Sequence, residues 1–250
     1  MFKNKIIIFI VEGPSDEDAL MVPLENELIN KKIKTKVKVL HTDILTKHIS
    51  KESNIFEITS SNIMGKLKEL IETEIKKIVG LKLKDIGKII YITDTDDCFF
   101  KDQPHSKNKK ECLKILFNKR KLELGKGCAK KIIPFEVIFM SQNLEHVLTG
   151  ELRNYSLEEK ERISKEFREK CEENFEEYIT FFTSTNIKKW KTYEESYSKI
   201  EIINERSSNM NCLLEELLEK KEGWKNVKRK KYWISLIGHF YFKGLKKPII

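Results

Sequence analysis

The sequence predicts an α/β fold, in which a parallel sheet is flanked by helices and followed by a mainly α-helical C-terminal extension. Two observations support this fold class. Residues 6–11 and 89–92 are continuous apolar runs rich in β-branched side chains, as in strands that are buried on both faces. A segment with helical spacing of apolar residues follows the first run and another precedes the second, and this alternation is typical of parallel sheets.

The elements between the two runs can be placed in order. Residues 15–30 predict an amphipathic helix, in which Pro23 predicts a kink or an early end. Residues 35–40 alternate polar and apolar side chains, as a half-buried or edge strand does. Residues 63–79 have a single apolar face and predict a helix. The expected order up to the second run is therefore β-α-β-α-β.

Later elements continue the same pattern and then change. Residues 101–131 contain a helix with one buried face, residues 132–140 read as a fourth strand, and a short helix begins near His146. Helical spacing replaces strand patterns from about Tyr155 onward. The predicted helices of this region cover residues 156–182, 184–204 and 210–222. We therefore expect a domain boundary near residue 150, between an α/β domain (1–150) and a helical extension (151–250).

Composition limits the function classes. The chain is 40% hydrophobic and 35% charged, which is typical of a globular domain, and its net charge of +9 is compatible with nucleic acid as a partner. A general excess of lysine is the alternative explanation of that charge. No apolar run reaches the length of a membrane span, so we expect a cytoplasmic protein without a membrane partner. The five cysteines form no CxxC pair, which argues against a zinc site.

Acidic residues follow both apolar runs at the point where each predicted strand ends. Asp94, Asp96 and Asp97 come directly after the second run, and Glu12 comes after the first. Carboxylates this close raise one another's pKa unless a cation lies between them. Hard divalent ions such as Mg²⁺ bind carboxylate oxygens, and ligands of open α/β sheets bind beyond the carboxyl ends of the strands. The sequence therefore predicts a Mg²⁺ or Mn²⁺ site at this edge of the sheet.

The two strand ends, IIIFIVEGPSD (6–16) and IIYITDTDD (89–97), resemble a TOPRIM domain. This Rossmann-like fold occurs in topoisomerases, bacterial primases, RNA-maturation nucleases and phage-defence nucleases of the OLD-like type. The resemblance spans roughly residues 5–150. It implies a stand-alone, metal-dependent endonuclease that hydrolyses phosphodiester bonds of DNA or RNA, including tRNA, by a two-metal mechanism. It also implies a role in antiviral defence.

The resemblance assigns roles to particular residues. Glu12 would be a metal ligand or general base, and Asp94 and Asp96 would be the metal ligands of the Asp-x-Asp motif. Asp16 matches the second acid of an ExxxD pattern and would also approach metal, although an acid in the first turn of a helix is an equally good interpretation. Asp97 is either a further ligand or a turn residue.

The segment SQNLEHVL (141–148) resembles the asparagine-and-glutamate element after the fourth strand of some small defence proteins of this family. Glu145 and Asn143 are therefore additional candidates. The alternative is that Asn143 caps a helix and that Glu145 is a surface residue.

Basic residues cluster in two places. Residues 101–131 contain 11 lysines and arginines and three acids, which predicts a phosphate-contacting arm or, alternatively, a solvated loop and helix. Within it, Lys126 or Lys130 is the candidate for stabilising transition-state charge. Residues 220–231 combine cations with neighbouring aromatic residues, which suits single-stranded nucleic acid or an amphipathic helix with a buried aromatic face.

Two alternative functions remain open on the sequence. The first is a non-catalytic TOPRIM-like subunit that binds nucleic acid or regulates another protein. The second is a haloacid-dehalogenase-like phosphatase with Asp94 as its nucleophile, although that fold usually starts with this motif. The sequence has no ATPase phosphate loop, so an ATP-gated enzyme would need a separate ATPase or sensor partner chain. Oligomerisation is compatible with each of these functions.

Overall fold

The fold is α/β, with a mostly parallel mixed sheet flanked by helices. The structure, a computed structural model, describes residues 5–30, 36–41, 45, 58–96, 98–99, 103–184, 186–189 and 206–218. The chain divides into two compact units, Met1–Leu213 and Leu214–Ile250, and the sheet belongs to the first. The expected domain boundary near residue 150 stays a prediction.

The described residues form a seven-stranded sheet. The strands are β1 (Ile6–Val11), β2 (Lys36–His41), β3 (Ile86–Asp94), β4 (Lys121–Leu124), β5 (Lys131–Ser141), β6 (Lys188–Lys189) and β7 (Ser207–Ser208). Their order is β2-β1-β3-β5-β7-β6, and β4 pairs with β5 off this path. The strands β2, β1, β3 and β5 are parallel neighbours, as the sequence predicts.

The core of the sheet is parallel, as expected, but two further strands make the sheet mixed. Strand β4 runs antiparallel to the first residues of β5, because only residues 125–130 connect the two and a connection this short suits an antiparallel pair. Strand β7 is antiparallel to the last two residues of β5. Asn209 extends this pairing, since its side chain accepts a hydrogen bond from the Phe139 backbone N–H and donates one to the Val137 carbonyl, both at 2.9 Å.

The register of the parallel strands brings three strand ends to one edge. Ile10 is opposite Tyr91, and Asp94 is opposite Met140. The carboxyl ends of β1, β3 and β5 therefore meet at the same edge, where the acidic residues of the sequence follow them.

Helices connect and cover the strands. They are α1 (Pro14–Asp16), α2 (Val22–Asn30), α3 (Ile63–Lys77), α4 (Pro104–Phe117), α5 (Leu144–Thr149), α6 (Leu157–Glu173), α7 (Phe175–Thr183) and α8 (Met210–Leu218). A π-helical turn, Glu17–Met21, joins α1 to α2. None of the helices that the structure describes is long and apolar enough to cross a membrane.

The π-helical turn explains how the first helix accommodates Pro23. A proline has no N–H to donate and its ring clashes with the carbonyl four residues earlier, which lies in this turn. The widened turn relieves this conflict, so the helical segment continues to Asn30 instead of ending early.

The core lies on both faces of the sheet. Ile8 and Ile10 of β1 belong to a cluster with buried residues of α3 and α4, among them Leu67 and Leu116. Side chains alternate between the faces of a strand, so Ile7 points the opposite way, and it is buried as well. Helix α6 packs on α5, α2 and the π-helical turn.

Two predictions for the C-terminal region need correction. The single helix expected over 156–182 is two helices, because Asn174 has an extended backbone and its side chain caps α7 by accepting a hydrogen bond from the Glu176 N–H. The helix expected over 184–204 is wrong at Lys188–Lys189, which pair with β7 as a short strand. The basic-aromatic stretch beginning at residue 220 lies outside the described residues.

Candidate functional site

Glu12 is held between the ends of two neighbouring strands. It follows β1 directly, and its Oε1 accepts a hydrogen bond from the Thr93 hydroxyl at 2.5 Å and from the Asp94 backbone N–H at 3.1 Å. Both donors belong to the last residues of β3. These hydrogen bonds fix the orientation of the Glu12 carboxylate toward Asp94.

Asp16 turns back toward the same strand end. Its Oδ2 accepts a hydrogen bond from the Gly13 backbone N–H at 2.9 Å. Burial raises the pKa of Asp16 to about 6, and the nearby Glu145 carboxylate acts in the same direction. The hydrogen bond from Gly13 and the charge of Lys160 oppose the rise only in part. The first helical turn therefore contributes a carboxyl group to the site, as well as beginning a helix.

Asp94 lies at the centre of a group of carboxylates. Burial raises its pKa well above the usual value, and the charges of Glu12, Asp16, Asp96 and Glu145 raise it further, in that order. Each of these four acids thus acts on Asp94 by direct electrostatic repulsion. We call the five residues Glu12, Asp16, Asp94, Asp96 and Glu145 the carboxylate cluster.

Asp96 is positioned by the backbone of Gln142, the residue directly after β5. It has a left-handed backbone with φ of 46°, and its N–H donates a 2.7 Å hydrogen bond to the Gln142 carbonyl. The preceding Thr95 N–H donates to the Met140 carbonyl at 2.9 Å. A positive φ is uncommon for a residue other than glycine, and such residues concentrate at functional sites.

Glu145 reaches the cluster from the short helix α5. Asn143 is the N-cap of this helix, because its side-chain oxygen accepts a hydrogen bond from the His146 N–H at 2.8 Å. Glu145 is only 3% exposed. Within the part of the chain that the structure describes, its Oε2 accepts no hydrogen bond, although Lys160 Nζ lies 3.4 Å away as an ion-pair partner.

Two lysines face the cluster. The Lys109 ammonium, on α4, pairs with Asp96 Oδ2, and the Lys160 ammonium, on α6, pairs with Glu145. Burial alone would lower the pKa of both lysines, but the carboxylates hold each above its usual value. For Lys109 these carboxylates are Glu12, Asp96 and Asp94; for Lys160 they are Glu145, Asp94 and Asp16. Both lysines are therefore charged.

The structure does not bring Lys126 and Lys130 to the cluster. Both are exposed, and Lys130 pairs with Glu123 at 2.7 Å. They precede Lys131, the first residue of β5, whereas Asp96 contacts the residue after Ser141, at its far end. Ten residue steps of strand span roughly 33 Å. Asp97, the remaining candidate, lies outside the described residues.

Comparisons with known proteins give no further assignment. No family model, no curated protein and no solved structure matches the chain. The interpretation of the site therefore rests on its own geometry and chemistry.

The donor set of the cluster fits a hard divalent cation. All of its side-chain donors are carboxylate oxygens, which Mg²⁺ and Mn²⁺ prefer. Glu145 Oε2, which has an ion pair with Lys160 but accepts no hydrogen bond within the described residues, is a buried acceptor beside them. In the described ranges, however, no three His, Cys, Asp or Glu side chains lie close enough together to enclose a metal ion. Metal binding would therefore require the carboxylates to approach one another.

Lys109 and Lys160 are not among the site residues predicted from the sequence, although the sequence contains a signal for both. Lys109 lies three, four and seven residues before Cys112, Leu113 and Leu116, which are buried on the same face of α4. Lys160 likewise precedes the buried Ile163 by three residues on α6. A lysine in line with an apolar stripe of a helix is the pattern that identifies both.

Proposed function

We propose that the chain is a divalent-metal-dependent nuclease that hydrolyses phosphodiester bonds of DNA or RNA. The observation that supports this most strongly is the convergence of five carboxylates from separate elements beyond the carboxyl ends of three parallel strands. Burial raises the pKa of Asp94 well above its usual value, and repulsion from the other four carboxylates raises it further. Such a cluster is electrostatically prepared for a cation.

Glu12, Asp94 and Asp96 are the residues that would hold the metal, with Asp16 and Glu145 beside them. A bound Mg²⁺ or Mn²⁺ would polarise the phosphate and favour deprotonation of the attacking water. The chain itself contributes orientation, because the Thr93 hydroxyl and the Asp94 N–H fix Glu12 and the Gln142 carbonyl, directly after β5, fixes Asp96.

The lysines give the site a means of contacting phosphate. The Lys160 side chain is 37% exposed beside Glu145, so its ammonium is accessible to a phosphate of the substrate. The net charge of +9 favours association with nucleic acid in general. Membership of the TOPRIM family and a role in antiviral defence rest on the resemblance of the two strand ends.

The test is cleavage of a substrate panel consisting of plasmid DNA, single-stranded DNA and total tRNA, with Mg²⁺, with Mn²⁺ and with EDTA. We expect metal-dependent cutting by the wild type. The double variant Asp94→Asn with Asp96→Asn should lose about 100-fold or more of that activity and keep its circular dichroism spectrum. Glu123→Gln is the matched control, because it removes a carboxylate at the opposite end of β5 and should leave cleavage unchanged.

A second candidate function is a binding subunit without catalysis. The observation in its favour is that the described residues contain no closed metal-binding group, while Lys109 and Lys160 already neutralise part of the cluster. Salt-dependent binding of nucleic acid by both wild type and double variant, with no cleavage by either, would support it. Release of phosphate from small phosphoesters alone would instead support the phosphatase.

A further inference from the structure

Lys109 is a buried cation in the middle of the acidic site. Its side chain is 6% exposed, and its ammonium contacts Asp96 Oδ2. Glu12 and Asp94 are close enough to act on its charge, and together these acids outweigh the effect of burial. The ammonium therefore balances the charge of the same carboxylates that would bind a metal ion.

The helix holds the ammonium in this position. Lys109 shares one face of α4 with Cys112, Leu113 and Leu116, which are fully buried in the core cluster. Because this face is packed against the sheet, Lys109 enters the site from the interior, whereas Lys107 on the same helix is exposed. The ion pair with Asp96 is thus set by core packing as well as by charge.

A divalent ion and the ammonium would compete for the same oxygens. Like charges at this separation repel strongly in a partly buried site, so both cannot be bound to Asp96 at full strength. The absence of a closed metal-binding group among the described residues agrees with a state in which the lysine takes up the negative charge. The buried Oε2 of Glu145 has an ion pair with Lys160 at 3.4 Å but accepts no hydrogen bond from the described residues, so it can also serve an incoming cation as a ligand.

We propose that Lys109 is a built-in counter-cation of the carboxylate cluster, and that binding of a divalent metal displaces its ammonium from Asp96. The proposal rests on the proposed metal-dependent function. Lys109 is in this view a positioning residue, since it sets the affinity of the site for metal through Asp96.

The first experiment measures metal affinity by isothermal titration calorimetry with MnCl₂ and with MgCl₂. Removing the competing charge in Lys109→Met should tighten metal binding by about tenfold or more, because one positive charge no longer opposes the ion. Lys107→Met is the matched control and should bind metal as the wild type does. Lys109→Arg keeps the charge and should restore the weaker, wild-type affinity.

The second experiment uses the wild-type chain and does not depend on a variant folding. Lysines are labelled with acetic anhydride at limiting dose, and the sites are quantified by mass spectrometry with Mn²⁺ and with EDTA. We expect Lys109 to react slowly in EDTA and several-fold faster with Mn²⁺, whereas the exposed Lys107 should react equally in both. Labelling of Lys109 that metal leaves unchanged or slows would overturn the displacement.

The outcomes separate the two proposals. A wild-type chain that binds neither Mn²⁺ nor Mg²⁺ overturns the proposed metal-dependent function, and the counter-cation role with it. A wild-type chain that binds metal while Lys109→Met binds it equally or more weakly overturns only the role of Lys109.

Discussion

Asp16 shows how the surroundings of one side chain set a pH dependence. Its pKa is about 6 in the folded protein and 3.8 without the fold. The folded state therefore binds more protons than the unfolded state between these values, and stability falls as the pH rises from about 4 to about 6. Above pH 6 the charged carboxylate remains buried and the loss is complete.

The prediction is that Asp16→Asn stabilises the metal-free protein at neutral pH. The amide can still accept the hydrogen bond from Gly13 but carries no charge. At pH 8 in EDTA we expect the free energy of unfolding to rise by up to about 3 kcal/mol, which corresponds to the pKa shift. At pH 4 the variant and the wild type should be equal.

Urea denaturation at the two pH values checks this. Glu161→Gln, which changes an exposed acid on α6, is the control and should be neutral at both. An Asp16→Asn protein that is less stable than the wild type at pH 8 in EDTA would show that the carboxylate is stabilised by its neighbours instead.

The cysteines give a second prediction at this scale. Cys98, Cys112 and Cys171 are buried, whereas Cys128 is exposed. Burial raises the pKa of Cys112 to about 12, with a contribution from Glu111, and raises that of Cys171 to about 12 as well. At pH 8 Cys128 should react rapidly with DTNB and the three buried thiols only after unfolding, as peptide mapping would show.

Individual residues differ in how well the sequence reveals them. The placement of Glu12 and Asp94 at neighbouring strand ends was predictable, because an acid directly after an apolar strand stands out from its surroundings. Lys109 was not singled out, because the chain contains 48 lysines and arginines and only the helical alignment with Cys112 and Leu116 distinguishes it. The placement of Lys126 and Lys130 failed because β4 reverses the chain and takes them to the other end of the sheet.

At the scale of elements, α6 and α7 are fastened to the segment that carries Asp16. The Arg168 guanidinium pairs with Asp18, and the Tyr178 hydroxyl, which is fully buried, donates a 3.0 Å hydrogen bond to the Leu20 carbonyl. Leu20 lies in the π-helical turn. These contacts fix the position of the π-helical turn. Because Asp16 directly precedes this turn, they also help to keep the Asp16 carboxyl group in the site.

Tyr178→Phe tests this attachment. Loss of the hydroxyl removes a buried hydrogen bond to the Leu20 carbonyl. We therefore expect the free energy of unfolding to fall by about 1–2 kcal/mol. Tyr155→Phe makes the same change at a partly exposed site and should have a smaller effect. Equal effects in urea denaturation would contradict a special role for the Tyr178 hydrogen bond.

Elements with strong periodicity were predictable and short ones were not. Helix α3 and strand β5 lie close to their expected bounds, because long apolar patterns specify them. Strands β6 and β7 have two residues each and carry no pattern of their own. Strand β7 forms by pairing with β5, and β6 forms by pairing with β7, so only the folded chain reveals them.

At the scale of the whole molecule, metal binding should increase the stability of the folded protein. A ligand that binds only the folded state raises the free energy of unfolding by RT ln(1 + [L]/Kd), about 2.7 kcal/mol at one hundred times Kd. We therefore expect Mn²⁺ to raise the Tm of the wild type, by a roughly constant step for each tenfold increase in concentration above Kd. Glu145→Gln should show a clearly smaller rise, and Glu123→Gln the full rise, in differential scanning fluorimetry.

A Glu145→Gln protein with the full rise would exclude Glu145 from the metal site. If neither Mn²⁺ nor Mg²⁺ changed the Tm of the wild type, a metal-dependent activity would lose its support.

The pairing of β5 with β7 has a consequence for synthesis on the ribosome. The chain emerges from its N-terminus, so β1, β3 and β5 are available well before Ser207, Ser208 and Asn209. Until those residues leave the exit tunnel, the end of β5 beside Asp96 has an open edge that can pair with another nascent chain. On polysomes, chains stalled before residue 207 should therefore aggregate more readily than chains stalled far enough beyond residue 209 to expose it, and the edge of β5 would be covered only when most of the protein has been made.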